Sequence, residues 1–145
     1  MQKKAYKYII GIDTGVKTGY ASYTPETKQL LTVETMAIHR AMDWVKELAR
    51  ACAGAGWEIF VRVEDPRQAV FGRRLEMHKL KGAGSVMRDA KIWDDFLKDL
   101  GVDYEMIRPR KNFTKLDPTA FQKITGFTGV TSQHGRDAAM LIYGY

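Results

Sequence analysis

The stretch Tyr6-Lys-Tyr-Ile-Ile-Gly-Ile-Asp13-Thr-Gly-Val-Lys-Thr-Gly-Tyr20-Ala-Ser-Tyr-Thr24 holds two strand signals with an acid between them. Tyr6 to Asp13 is a short apolar run that closes on a carboxylate, and Gly15 and Gly19 bracket a turn into a second strand, Tyr20 to Thr24. A second turn, Pro25 to Lys28, leads into the β-rich Leu30 to Met36. Three strands joined by short turns read as an antiparallel meander. From Ile38 the period changes: Ile38, Ala41, Met42, Val45, Leu48, Ala49 and Cys52 recur at helical spacing until Gly54 and Gly56 stop the run.

Further along, Ile59 to Val63 is a fourth strand that runs into Glu64 and Asp65 and ends at Pro66. A second helix is marked by Val86, Ala90, Trp93, Leu97 and Leu100, with Gly101 beyond its end. Tyr104 to Ile107 forms a fifth strand, Pro118 opens a short helix behind the N-cap candidate Asp117, and a last helix begins at His134. The order predicts one α/β domain over residues 1–145 with a mixed, five-stranded sheet. The 145 residues, 45% of them hydrophobic, can bury a core without disulfides or a structural metal. The single cysteine, Cys52, falls on the apolar stripe of the first helix and reads as a buried thiol in a reducing compartment. No run approaches the ~20 apolar residues of a membrane span, so a cytoplasmic protein is expected.

The net charge of +6 is unevenly spread. Residues 67–91 carry an excess of five positive charges and residues 108–123 an excess of four, which leaves the remainder of the chain net negative. Two basic segments on an otherwise acidic chain are what a polyanion partner would require, although a solvated basic surface produces the same pattern.

Three carboxylates occupy places where folding alone would not put them. Asp13 closes a central apolar strand, Glu64 closes another, and Asp137 precedes the apolar run Ala138 to Ile142 in the last helix. If the first and fourth strands are parallel neighbours, Asp13 and Glu64 emerge at one sheet edge, where ligand sites of α/β sheets lie. His134, three residues before Asp137, shares its helix face. Each of these taken singly reads as a cap or a salt-bridge partner. Together, without a cation, they would repel one another, and oxygen ligands with one nitrogen suit Mg²⁺, with Mn²⁺ able to substitute. Zinc is disfavoured, because neither His39 nor His78 has ligand spacing to His134. Gly11 to Thr18 imitates a phosphate-binding loop, but Val16 stands where the glycine before the lysine is needed. The adjacent pair Glu64-Asp65 does not make a dyad, since neighbours on a strand face opposite ways, and Asp65 is expected at the surface or behind Glu64.

These residues resemble the RuvC-type Holliday junction resolvases, in a compact, phage-type version. Ile9-Ile-Gly-Ile-Asp-Thr-Gly followed by Thr18-Gly-Tyr-Ala is similar to the family's opening signature, with Thr14 in place of its proline. Val63-Glu64 resembles the second motif, Lys81-Gly-Ala-Gly-Ser-Val-Met the start of the family's dimer helix, and His134-Gly-Arg-Asp137-Ala-Ala the closing motif. The resemblance implies a ribonuclease H-like fold with helices on both faces of the sheet, and a homodimer that cuts one strand at each of two sites in a four-way DNA junction. It further implies two metal ions per site, bridged by Asp13, with Glu64 and Asp137 completing their shells and His134 as ligand or proton shuttle. Arg73, Arg74, Lys79, Lys81, Arg110, Lys111 and Lys115 would hold the DNA backbone, and the stripe Val86, Ala90, Trp93 and Leu97 would either pair the subunits or only cover the sheet. An RNA-processing nuclease on the same fold and a non-catalytic module that binds branched DNA are the competing readings.

Overall fold

A computed structural model of the protein describes residues 4–68, 83–109 and 115–145. Strands β1 (Tyr8–Asp13), β2 (Lys17–Thr24) and β3 (Gln29–Ala37) form the expected meander. Helix α1 (Ile38–Gly54) follows β3 without a loop, and β4 (Ile59–Glu64) ends at a 3-10 turn, Pro66–Gln68. Then come α2 (Ala83–Leu100), β5 (Asp103–Ile107), α3 (Pro118–Thr125) and α4 (Gln133–Met140). The expected cap Asp117 acts, and a second cap not singled out in the sequence, Ser132, joins it. The Asp117 carboxylate accepts the Ala120 amide at 2.7 Å, and Ser132 caps α4 by accepting the Gly135 amide.

The sheet is mixed and five-stranded, in the order β3-β2-β1-β4-β5. Pairing is antiparallel within the meander and parallel for β1 with β4 and for β4 with β5. Strand alternation divides the core in two. On one face Ile10, Ile12, Val61 and Val63 pack with Ala41, Val45 and Cys52 of α1 and with Trp93 and Leu97 of α2. On the other, Ile9, Ala21 and Tyr23 pack with Phe121 of α3 and with Ala138 and Ala139 of α4. The chain is therefore an α/β protein with an open sheet covered on both sides. Among the described residues no helix is long and apolar enough to cross a membrane.

Of the two places expected for the α2 stripe, the sheet takes it rather than a subunit interface. Ala90, Trp93 and Leu97 are 0% exposed within the single chain, and Trp93 and Leu97 lie in the core against β4, so they do not form a surface for a second subunit. An apolar stripe at helical spacing establishes that one face of a helix is buried, not against what, and here the sheet takes it. Val86 alone of the four remains outside, at 36% exposed.

Candidate functional site

Parallel pairing of β1 with β4 places Asp13 directly beside Glu64 on the last rung of the ladder. Helix α4 then crosses the sheet so closely that side chains are excluded from the contact. A β-carbon on Gly11 would overlap the Ala138 carbonyl oxygen, and one on Gly19 would overlap that of His134. The two glycines let the helix backbone rest on β1 and β2, which carries His134 and Asp137 to the end of β1.

The result is a cluster in which Asp13, His134 and Asp137 each offer a ligand atom, all within 4.8 Å of one another. His134 Nδ1 and Asp13 Oδ2 are hydrogen-bonded at 3.0 Å. Gln133 Nε2 donates to Asp137 Oδ1 at 2.8 Å, and Lys115 Nζ lies 3.7 Å from Asp137 Oδ2. Glu64 is not part of this tight group. It lines the same cleft, of about 240 Å³, with Arg62, Ile107, Arg108, Pro109 and Lys115. Burial pushes the Glu64 carboxyl up to about 7, the charges of Asp13 and Asp137 push it the same way, and Lys115 opposes them. Asp13 is also raised, again by burial first, with the His134 hydrogen bond opposing and the Asp137 charge adding to the shift. The site thus gathers negative charge faster than its own lysine neutralises it.

All four expected residues, Asp13, Glu64, His134 and Asp137, line one cleft. Of the expected DNA-backbone residues, Lys115 lies at its rim with its side chain 66% exposed. Arg73, Arg74, Lys79, Lys81, Arg110 and Lys111 fall outside the described residues. Asp65 corrects its surface reading: it is 2% exposed, and hydrogen bonds from Arg67 and Gln68 hold its carboxyl below the ordinary range although burial alone would raise it.

Three residues at the site are missed by sequence reasoning. Arg62 stands two residues before Glu64 on the same strand face, donates to the Leu141 carbonyl oxygen and packs over the Tyr145 ring at 4.8 Å. Gln133 stands one helical turn before Asp137, a spacing that could have signalled the pair. Arg108 enters the sequence reading only as charge, and in the structure it lines the cleft. Compared with models of known protein families and with curated protein sequences, the chain matches none.

Proposed function

We propose that this chain is a divalent-metal-dependent nuclease of the RuvC type, on a ribonuclease H-like fold, that hydrolyses a phosphodiester in branched DNA. The observation that carries the reading is the convergence of Asp13, His134 and Asp137 within 4.8 Å, with Glu64 on the neighbouring strand rung. The mixed sheet covered on both faces is of the kind the resemblance implies.

The donor set fits a hard cation. Asp13 and Glu64 both have raised carboxyls, each through burial and through the charge of neighbouring carboxylates, and a bound cation removes that repulsion. Asp13, His134 and Asp137 would hold the metal, and Glu64, beside Asp13 on the neighbouring strand, would complete its shell. Mg²⁺ or Mn²⁺, when bound, supplies a Lewis acid that lowers the pKa of water and stabilises charge on the leaving oxygen. The protein's own groups do the rest. His134 fixes the Asp13 carboxylate through their hydrogen bond, Gln133 fixes Asp137, and both are set by the helix backbone seated on Gly11 and Gly19. Lys115 and Arg108, at the rim, provide the positive charge that a phosphate backbone requires on entering a cleft lined by carboxylates. A homodimer remains part of this reading, through a surface other than the α2 stripe.

The test is a cleavage assay with Mg²⁺ or Mn²⁺ on a four-way DNA junction, a linear duplex and a structured RNA. Paired cuts in the junction with little cutting of the duplex are expected. Cutting confined to RNA would replace the substrate, and junction binding without any cutting would make the chain a binding module.

A further inference from the structure

Glu64 is the last residue of β4, and among the described residues its carboxylate makes no hydrogen bond. Its neighbour in the chain, Asp65, is the most extensively hydrogen-bonded carboxylate among the described residues. Asp65 turns away from the cleft, as strand alternation requires, and is buried on the α2 side of the sheet. Its Oδ1 accepts from the Arg67 backbone amide at 3.0 Å and from Arg67 Nε at 2.8 Å, and its Oδ2 accepts from Arg67 Nη2 at 2.9 Å and Gln68 Nε2 at 3.3 Å. Arg67 Nη2 also donates to Asp94 Oδ2 on α2 at 3.1 Å, and Asp94 Oδ1 accepts the Tyr104 hydroxyl of β5 at 2.6 Å. The main chain is pinned on both sides of the same peptide: Thr14 Oγ1 donates to the Glu64 carbonyl oxygen at 3.1 Å, and the Asp65 amide donates to the Ile107 carbonyl oxygen at 2.8 Å.

We propose that Asp65 is a positioning residue for Glu64: with Arg67, Asp94 and Tyr104 it forms a clamp that ties the end of β4 to α2 and β5 and so holds the Glu64 carboxylate in the cleft. The clamp rests on the reading of the cleft as a metal-dependent nuclease site. Fold stability alone does not call for it, because an ion pair that buries its carboxylate contributes little net stability compared with apolar residues of the same volume. Its value lies in geometry. A bidentate Arg–carboxylate pair fixes two planes relative to each other, and that rigidity is applied one residue from a group that must be aimed. The clamp also accounts for Tyr104, whose hydroxyl is committed to Asp94 and is not offered to a substrate.

The experiment compares the full chain with Asp65→Asn, which keeps the volume but loses the charge that binds Arg67. Arg67→Lys, which keeps the charge but loses the fork, is the second variant in case the first fails to fold. Mn²⁺ is the probe, titrated by electron paramagnetic resonance. Removing a group that orients a metal ligand typically weakens affinity by about 10- to 100-fold, and a loss in that range is expected, with a matching fall in kcat and little change in KM for DNA. Val45→Ala, on the buried face of α1, serves as a control of lowered stability and should leave Mn²⁺ affinity unchanged. Metal-free crystal structures of the parent and variant provide a readout independent of activity, and Glu64 should leave the cleft in the variant. Glu64 unmoved, or a loss of Mn²⁺ affinity no greater than in Val45→Ala, overturns the clamp. A parent protein that neither binds Mn²⁺ nor cuts overturns the nuclease reading instead, and the crystallographic comparison still decides the clamp.

Discussion

Replacing Glu64 by Gln should stabilise the metal-free protein at neutral and alkaline pH and leave it unchanged in acid. The substitution preserves shape and removes only the ionisation. In the folded chain the carboxyl is pushed from its ordinary 4.5 up to about 7, by burial first and then by the charges of Asp13 and Asp137. Below 4.5 the group is protonated in both folded and unfolded chains, and no penalty arises. Between 4.5 and about 7 the unfolded chain releases the proton while the folded chain retains it, so wild-type stability falls as pH rises, and above about 7 the loss is complete. At about 1.4 kcal/mol per pKa unit the ceiling is near 3.5 kcal/mol, and solvent screening in an open cleft reduces the expected gain of Glu64→Gln to about 1–2 kcal/mol. Urea denaturation of both proteins in EDTA, from about pH 4 to about pH 8, measures the difference directly. Adding Mg²⁺ should then stabilise the wild type more than the variant, because the cation relieves the repulsion and Glu64 helps to hold it. A difference that is flat across the pH range, or a variant less stable than wild type in alkali, would refute the placing of Glu64 in a desolvated, self-repelling cluster.

Asp13→Asn and Asp137→Asn should each reduce cleavage by more than about 100-fold while junction binding in a gel-shift assay is kept, since a direct ligand should matter at least as much as its support; near wild-type cutting by either would remove that residue from the site. Gly19→Ala should cost about 1–3 kcal/mol by overpacking against the His134 carbonyl, visible as a lowered Tm, and should weaken Mn²⁺ binding as α4 lifts. Trp93→Ala should cost about 3–5 kcal/mol in urea denaturation, independent of protein concentration, because the side chain is core; a strong concentration dependence would return it to a subunit interface. Lys115→Ala should lower the slope of log Kd against log salt for junction DNA by about 1 if its ammonium meets a phosphate, and an unchanged slope would place it off the DNA path.

The elements are legible in the sequence where a single period runs undisturbed. The apolar run ending at Asp13, the β-rich run from Leu30 to Met36 and the helical recurrence from Ile38 to Cys52 each correspond to an element in the structure, and Asp117 and Pro118 mark the start of α3. The gathering of Asp13, Glu64, His134 and Asp137 is legible because strand ends and helical spacing are local signals that the topology then superposes. The partners of those local signals are not legible. Nothing in the spacing of Ala90, Trp93 and Leu97 distinguishes a sheet from a second subunit, and nothing in Glu64-Asp65 states that Arg67 folds back to bury the second carboxylate. Arg62 is hidden for the same reason, since its acceptor on Leu141 is 79 residues away in sequence.

The seating of α4 on Gly11 and Gly19 bears on how mutational maps of this protein should be interpreted. Side-chain packing yields by small rotamer changes, whereas two backbones in contact have no rotamers to change. Substitution at either glycine therefore displaces His134 and Asp137 together, as a rigid piece, even where the rest of the protein stays folded. In a screen scored by activity alone, Gly11 and Gly19 would rank beside the acidic residues, although neither has a side-chain atom to offer a metal or a phosphate. Their sensitivity would report the height of a helix above a sheet, and a screen that also scored abundance or metal affinity would separate them from the ligands.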